Sequence, residues 1–188
     1  MVQLTQAQIQ KNKDIFLLLN KKYQLLPDTL VTFLGEDFFH APATTMTTMH
    51  NACDGGLLDY LLKVAEYAKK INDTLPASLQ QPALSVYRVA FLTGIGKTFM
   101  FIPNSNEWSR KNGKIYEFAP GVSAMSAGER SALYALRYGM DLSDDEYQAI
   151  INSDKSEEEP QVKWFGSSLT TILRQAIEWA IMDLKHRE

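Results

Sequence analysis

Apolar and polar positions follow a helical rhythm over most of this chain. Between Thr5 and Tyr23, Ile9, Ile15, Phe16, Leu18 and Leu19 form a stripe among lysines and asparagines, which predicts a helix over 5–22. Pro27 restricts Leu26 and opens a short helix through Asp28, Thr29, Leu30 and Phe33, with Gly35 as its natural stop. The clearest pattern spans 55–71. There Leu57, Leu58, Leu61, Leu62, Val64, Ala65 and Ala68 repeat at helical spacing, and Lys63, Glu66, Lys69 and Lys70 supply the outer face. Asp54 sits where an N-cap would accept orphan backbone N–H groups. The run from Leu84 to Phe91 is almost entirely apolar and fits a buried helix or a buried strand, between which periodicity does not decide. Further helical patterns cover 126–138, closed by Gly139, then 144–152 behind the capping box Ser143-Asp-Asp-Glu146, and finally 168–185.

Two stretches break the rhythm. From Phe38 to Cys53 no period holds, and the threonine-rich segment with Pro42, His40 and His50 reads as a structured loop laid over the core. From Gly94 to Gly121, prolines, asparagines and glycines predominate, and Ile115-Tyr-Glu-Phe118 suits a small hairpin or an extended loop. Residues 153–160 are polar and turn-rich, a surface loop. The expected fold is an all-α domain of six or seven helices, the run at 83–93 included, with one long irregular insert. Its core draws on Leu57, Leu61, Val64, Val89, Leu92, Leu133, Ile150 and Leu173.

The 188 residues, 45% apolar and 22% charged, suit one domain with a sizeable core and exclude a disordered polyampholyte. No apolar run approaches the length of a membrane span, and the opening MVQLTQAQIQKNKD is too polar for a signal peptide. A single cysteine, Cys53, precludes an internal disulfide. The net charge of −3 disfavours broad nucleic-acid affinity. A soluble, cytoplasmic protein without a membrane partner is the expectation.

The chemistry-bearing residues are sparse. Gly94-Ile-Gly-Lys-Thr98 resembles the end of a phosphate-binding loop, but Phe91 stands where the pattern needs its first glycine, so a helix-ending turn with Gly94 or Gly96 at positive φ is expected. The histidines at 40, 50 and 186 show no metal-ligand spacing; a zinc site would need His40 and His50 with Asp54 or Asp59. Cys53 precedes a helix start with His50 nearby, yet a lone cysteine is ordinarily a small core residue. Glu157, Glu158 and Glu159 form a solvated run. Trp108, Trp164 and Trp179 read mainly as core, with Trp164-Phe165 a candidate exposed interface anchor.

The order of the pieces carries a resemblance. FFHAPATTMTTMHNACDGGLLDYLLKVAEYA resembles an "APAS" loop leading to a "GGL-x-E-H" helix start. VAFLTGIGKTFMF, followed by Trp108 and IYEF, is similar to an "LLHD-x-(C/G)-K" helix end with an aromatic insert. SAMSAGERSALYALRYGMDLSDDEYQAI resembles "GHGEKS" followed by "L-x-x-E-E-x-x-AI-x-x-H", and LTTILRQAIEWAIM resembles "LLH-x-AD-x-x-A". These pieces, covering roughly 36–183, resemble a phage and bacterial branch of the HD-domain phosphohydrolase superfamily. The resemblance implies one HD-like helical bundle over 1–188, with an N-terminal helical extension at 1–35 and a core at 36–188.

In that superfamily, histidines and aspartates gather divalent metals that activate water against phosphate esters. Carried over position by position, the ligand places fall on Tyr60, Thr93, Gly94, Ala127, Ser153 and Ile177. None of these side chains suits a hard divalent ion, and without one there is no low-pKa water. The resemblance therefore implies a pseudoenzyme: no catalytic residues, no metal, no cofactor, and a protein partner, in the manner of a phage or mobile-element accessory or inhibitor protein. Two alternatives stand beside it. One is a nucleotide or small-phosphate sensor in which Lys97 and Arg130 meet phosphate, with Glu129 adjacent. The other is an atypical phosphohydrolase using Glu129, Asp154, Lys97 and the loop histidines.

Overall fold

The computed structural model describes residues 3–155 and 166–186. Among them lie eight α-helices: α1 (Gln6–Tyr23), α2 (Asp28–His40), α3 (Gly56–Thr74), α4 (Ala83–Leu92), α5 (Glu107–Lys111), α6 (Ala127–Arg137), α7 (Asp144–Ile151) and α8 (Ser168–Lys185). A 3-10 turn, Ile95–Lys97, follows α4. Strands β1 (Phe101–Pro103) and β2 (Tyr116–Phe118) pair antiparallel with Phe101 opposite Phe118. The architecture is an all-α bundle with a small two-stranded insert, and none of these helices is long and apolar enough to cross a membrane.

Local chemistry starts the helices where their sequences direct. Thr5 with Gln8, Ser126 with Glu129 and Ser143 with Glu146 form capping boxes at α1, α6 and α7. Helix α3 is the hub, packed most extensively against α8 and α4 through Leu57, Leu58, Leu61, Val64, Ala65 and Ala68, all buried. Each such leucine or valine withdrawn from water is worth about 1.5–3 kcal/mol. Phe16 pins α1 to this core through edge-to-face contacts with Phe38 and Phe91, at 5.3 and 5.2 Å.

Several expectations are corrected. Asp54 does not cap α3; the N-cap is Gly55 at φ 70, and Asp54 instead lies 3.0 Å from His40 Nδ1. The next glycine serves close approach, since a Cβ on Gly56 would meet the Asn51 carbonyl oxygen at 2.2 Å. Gly35 breaks the helical geometry (φ 55, ψ −153), but helix resumes at once and runs to His40, so the irregular loop starts at Ala41 rather than Phe38. Gly94 has φ −135, and Gly96 is not at positive φ either. Both are small because neighbours crowd them: a Cβ would come 2.8 Å from Leu61 Cδ2 at Gly94 and 2.4 Å from the Ala127 oxygen at Gly96.

The burial of some apolar positions also differs. In α1 the buried residues are Ile9 and Phe16, whereas Ile15 and Leu18 face solvent. Leu133, expected in the core, lies on the outer face of α6. Trp108 and Trp179 are exposed, because α5 belongs to the peripheral insert and Trp179 points away from the face that α8 turns to α3. Trp164, Phe165 and the Glu157–Glu159 run lie outside the described residues.

Candidate functional site

The loop 41–55 is held in place before it contributes any chemistry. Thr44 Oγ1 donates to the His50 carbonyl at 2.7 Å, Ala43 N–H to the Asn51 carbonyl at 3.1 Å, and Tyr116 N–H to the Thr45 carbonyl at 3.2 Å. These bonds tie the loop to itself and to β2, and they deliver His50 to the inward side of α3. Tyr60, on that side and 5% exposed, lies with its ring 4.7 Å from the His50 imidazole. Lys97, the last residue of the 3-10 turn, places its ammonium 5.5 Å from the Tyr60 ring centre and donates to the Ala43 carbonyl at 3.1 Å.

Thus a phenol, an imidazole and an ammonium from three separate elements share one partly dry space. Burial pushes the Tyr60 hydroxyl well above its ordinary range, with the Asp154 charge adding to the effect. Burial also lowers Lys97 to about 8, against the opposing pull of Asp154. His50 falls to about 4, through burial first and then the positive charges of Lys97 and Lys185. At neutral pH the imidazole and phenol are therefore uncharged beside one cation. His50 Nδ1 is buried and makes no hydrogen bond among the described residues.

The six positions to which the resemblance assigns metal ligands lie in different settings. Thr93 is buried as the C-cap of α4, and Gly94 follows against Leu61. Ala127 opens α6, where its carbonyl accepts from Ser131 Oγ at 2.8 Å; Ser131 Oγ in turn accepts from Gly96 N–H at 2.8 Å. Ser153 is buried with its hydroxyl donating to the Ile150 carbonyl at 2.9 Å. Ile177 is only half-buried at the edge of the core. Among the described residues no group of three or more His, Cys, Asp or Glu is placed to hold a metal ion. The Lys97 ammonium would moreover repel a divalent cation brought to Tyr60.

Of the three residues expected to meet a ligand, only Lys97 belongs to this centre. Glu129 closes the capping box of α6, accepting from Ser126 N–H at 2.8 Å, and this bonding holds its carboxyl below the usual range. The Arg130 guanidinium donates to the Ser123 carbonyl at 2.9 Å. His50 and Asp154, by contrast, belong with Lys97, His50 through its contact with Tyr60 and Asp154 through its field. The Cys53 thiol is buried and pushed up, chiefly by desolvation, which makes it a poor nucleophile. What the centre offers chemically is one desolvated cation and one imidazole nitrogen without a hydrogen-bond partner among the described residues. No family model, no curated protein and no solved structure matches this chain.

Proposed function

We propose that this chain is a degenerate HD-like domain that works without metal-dependent catalysis, as a cytoplasmic protein acting by protein–protein contact in the manner of a phage or mobile-element accessory factor. The observation carrying this reading is the seat of the Lys97 ammonium over Tyr60, beside His50, where the resemblance would place the first metal ligand. A cation and an aromatic ring fill that space with mutually favourable contacts, inside a well-packed helical core. Binding energy must then come from surface. Trp164 and Phe165, outside the described residues, are the anchors that the sequence offers for it.

The test is a capture experiment from host lysate with the full chain, comparing wild type with Trp164→Ala, both shown to be folded by far-UV circular dichroism. The proposal expects a specific protein partner that the variant loses. Equal recovery by the folded variant removes this surface from the account. Hydrolysis of a nucleotide or phosphate ester by the purified chain would overturn the non-catalytic reading itself.

A second reading, a nucleotide or small-phosphate sensor, is favoured by one specific feature: a buried Lys97 ammonium beside a His50 Nδ1 that has no hydrogen-bond partner among the described residues. A panel of nucleotides and inorganic phosphate, read by thermal shift on wild type and Lys97→Met, separates the two. A shift in wild type that Lys97→Met abolishes supports the sensor.

A further inference from the structure

Helix α6 buries Ala132, Tyr134 and Ala135 on one side and presents Glu129, Leu133, Leu136 and Arg137 on the other. Leu133 and Leu136 are 37% and 52% exposed, and Tyr147 of α7 stands beside them at 42%. Between them runs a shallow groove of about 370 Å³, lined by Ala124, Met125, Glu129 and Ala132 together with the two leucines and Tyr147. An exposed leucine pair beside a groove that holds Met125, Ala132 and a carboxylate offers apolar surface and charge that a second copy can cover.

The charges follow the same symmetry. Glu129 and Arg137 lie four residues to either side of Leu133, roughly 6 Å of helix axis each way. When two α6 helices pack antiparallel about a twofold axis at Leu133, Glu129 of one copy meets Arg137 of the other, twice. A twofold contact requires such self-complementarity, residue i on j and j on i. Both groups reach solvent: Glu129 and Arg137 are exposed, and Glu129 accepts from Ser126 N–H through Oε2. Parallel packing would set Glu129 against Glu129.

We propose that the outer face of α6 is a self-association surface, on which two copies of this chain form a twofold dimer with Leu133 and Leu136 at its centre and Glu129–Arg137 pairs at its ends. This interface is independent of how the Tyr60 centre is used. The test is sedimentation of the full chain over a concentration series at low and high salt. Wild type should form a dimer that weakens with salt. Leu136→Glu should weaken it on the order of tenfold or more while leaving the far-UV spectrum unchanged. Arg137→Glu should weaken it by opposing Glu129, and adding Glu129→Gln, which keeps the capping box, should restore part of the association. A monomer at every concentration overturns the proposal. So does a dimer that Leu136→Glu and Arg137→Glu leave unchanged.

Discussion

The Tyr60 ring lies 4.7 Å from the His50 imidazole with the two planes inclined by 38°, and the Lys97 ammonium sits 5.5 Å from the same Tyr60 ring. The aromatic face thus serves two neighbours from two different elements, a loop histidine and a turn lysine. A cation held over a tyrosine ring in partly dry surroundings contributes on the order of 1–2 kcal/mol. Because the lysine and histidine press on each other electrostatically, protonating one is resisted by the other.

Burial of His50, reinforced by that repulsion, predicts acid sensitivity. His50 binds a proton at about 4 in the fold against 6.5 in the unfolded chain. Between those values the unfolded state holds more protons, so stability rises with pH through this window and falls on acidification through it. The full amplitude is roughly 3 kcal/mol. Urea unfolding from pH 7 to pH 4 should show this loss in wild type and a flatter profile in His50→Gln. An equally steep profile in that variant would assign the loss to other groups.

Tyr60→Ala should cost about 3–5 kcal/mol, because it opens a cavity and strips Lys97 of its aromatic face. Tyr60→Phe keeps the ring and should remain within about 1 kcal/mol of wild type. Chemical denaturation of both variants checks the ranking, and equal costs would mean that the hydroxyl, not the ring, supports this site.

Gly96→Ala should destabilise by about 1–3 kcal/mol or more. The added Cβ would meet the Ala127 oxygen at 2.4 Å and the Ser131 nitrogen at 2.8 Å, both backbone atoms of α6 that move only together with the helix. Gly139, at φ 79 with open space around its Cβ position, should respond by a different route: Gly139→Asn should be tolerated far better than Gly139→Val. Thermal melting of the three variants is the check.

Ile177→Ala should cost about 1 kcal/mol, clearly less than the roughly 2–5 kcal/mol of Leu173→Ala on the same helix, because Leu173 is fully buried and Ile177 sits at the rim. Denaturant unfolding of the pair measures the difference. An equal or larger cost at Ile177 would contradict its place at the rim of the core.

The helices of the bundle were legible because their signals are local. The capping box at Ser143 and the apolar period from Leu57 to Ala68 both act within a few residues of one another. Placement of side chains depended on which helix faces find a neighbour, and that is a tertiary fact. Leu133 has the same helical pattern as a core leucine, yet its face of α6 is turned outward and leaves it 37% exposed. Asp54 was a plausible cap until Gly55 took the left-handed conformation that sets the entry angle of α3, which freed Asp54 for His40. In the candidate site, Tyr60 and Lys97 could be singled out as residues standing near expected ligand places. Their meeting with His50 depends on the path of loop 41–55 and on its backbone bonds to β2, which no period in the sequence encodes.

The non-catalytic reading rests on the space at Tyr60 being taken by Lys97 and His50 rather than by a metal ion. Elemental analysis of the full chain, purified without chelator, equilibrated with manganese, iron, nickel and zinc and then dialysed, tests this most directly. The account predicts that no metal survives dialysis at a stoichiometric level, and near-stoichiometric retention of any one of them would contradict it.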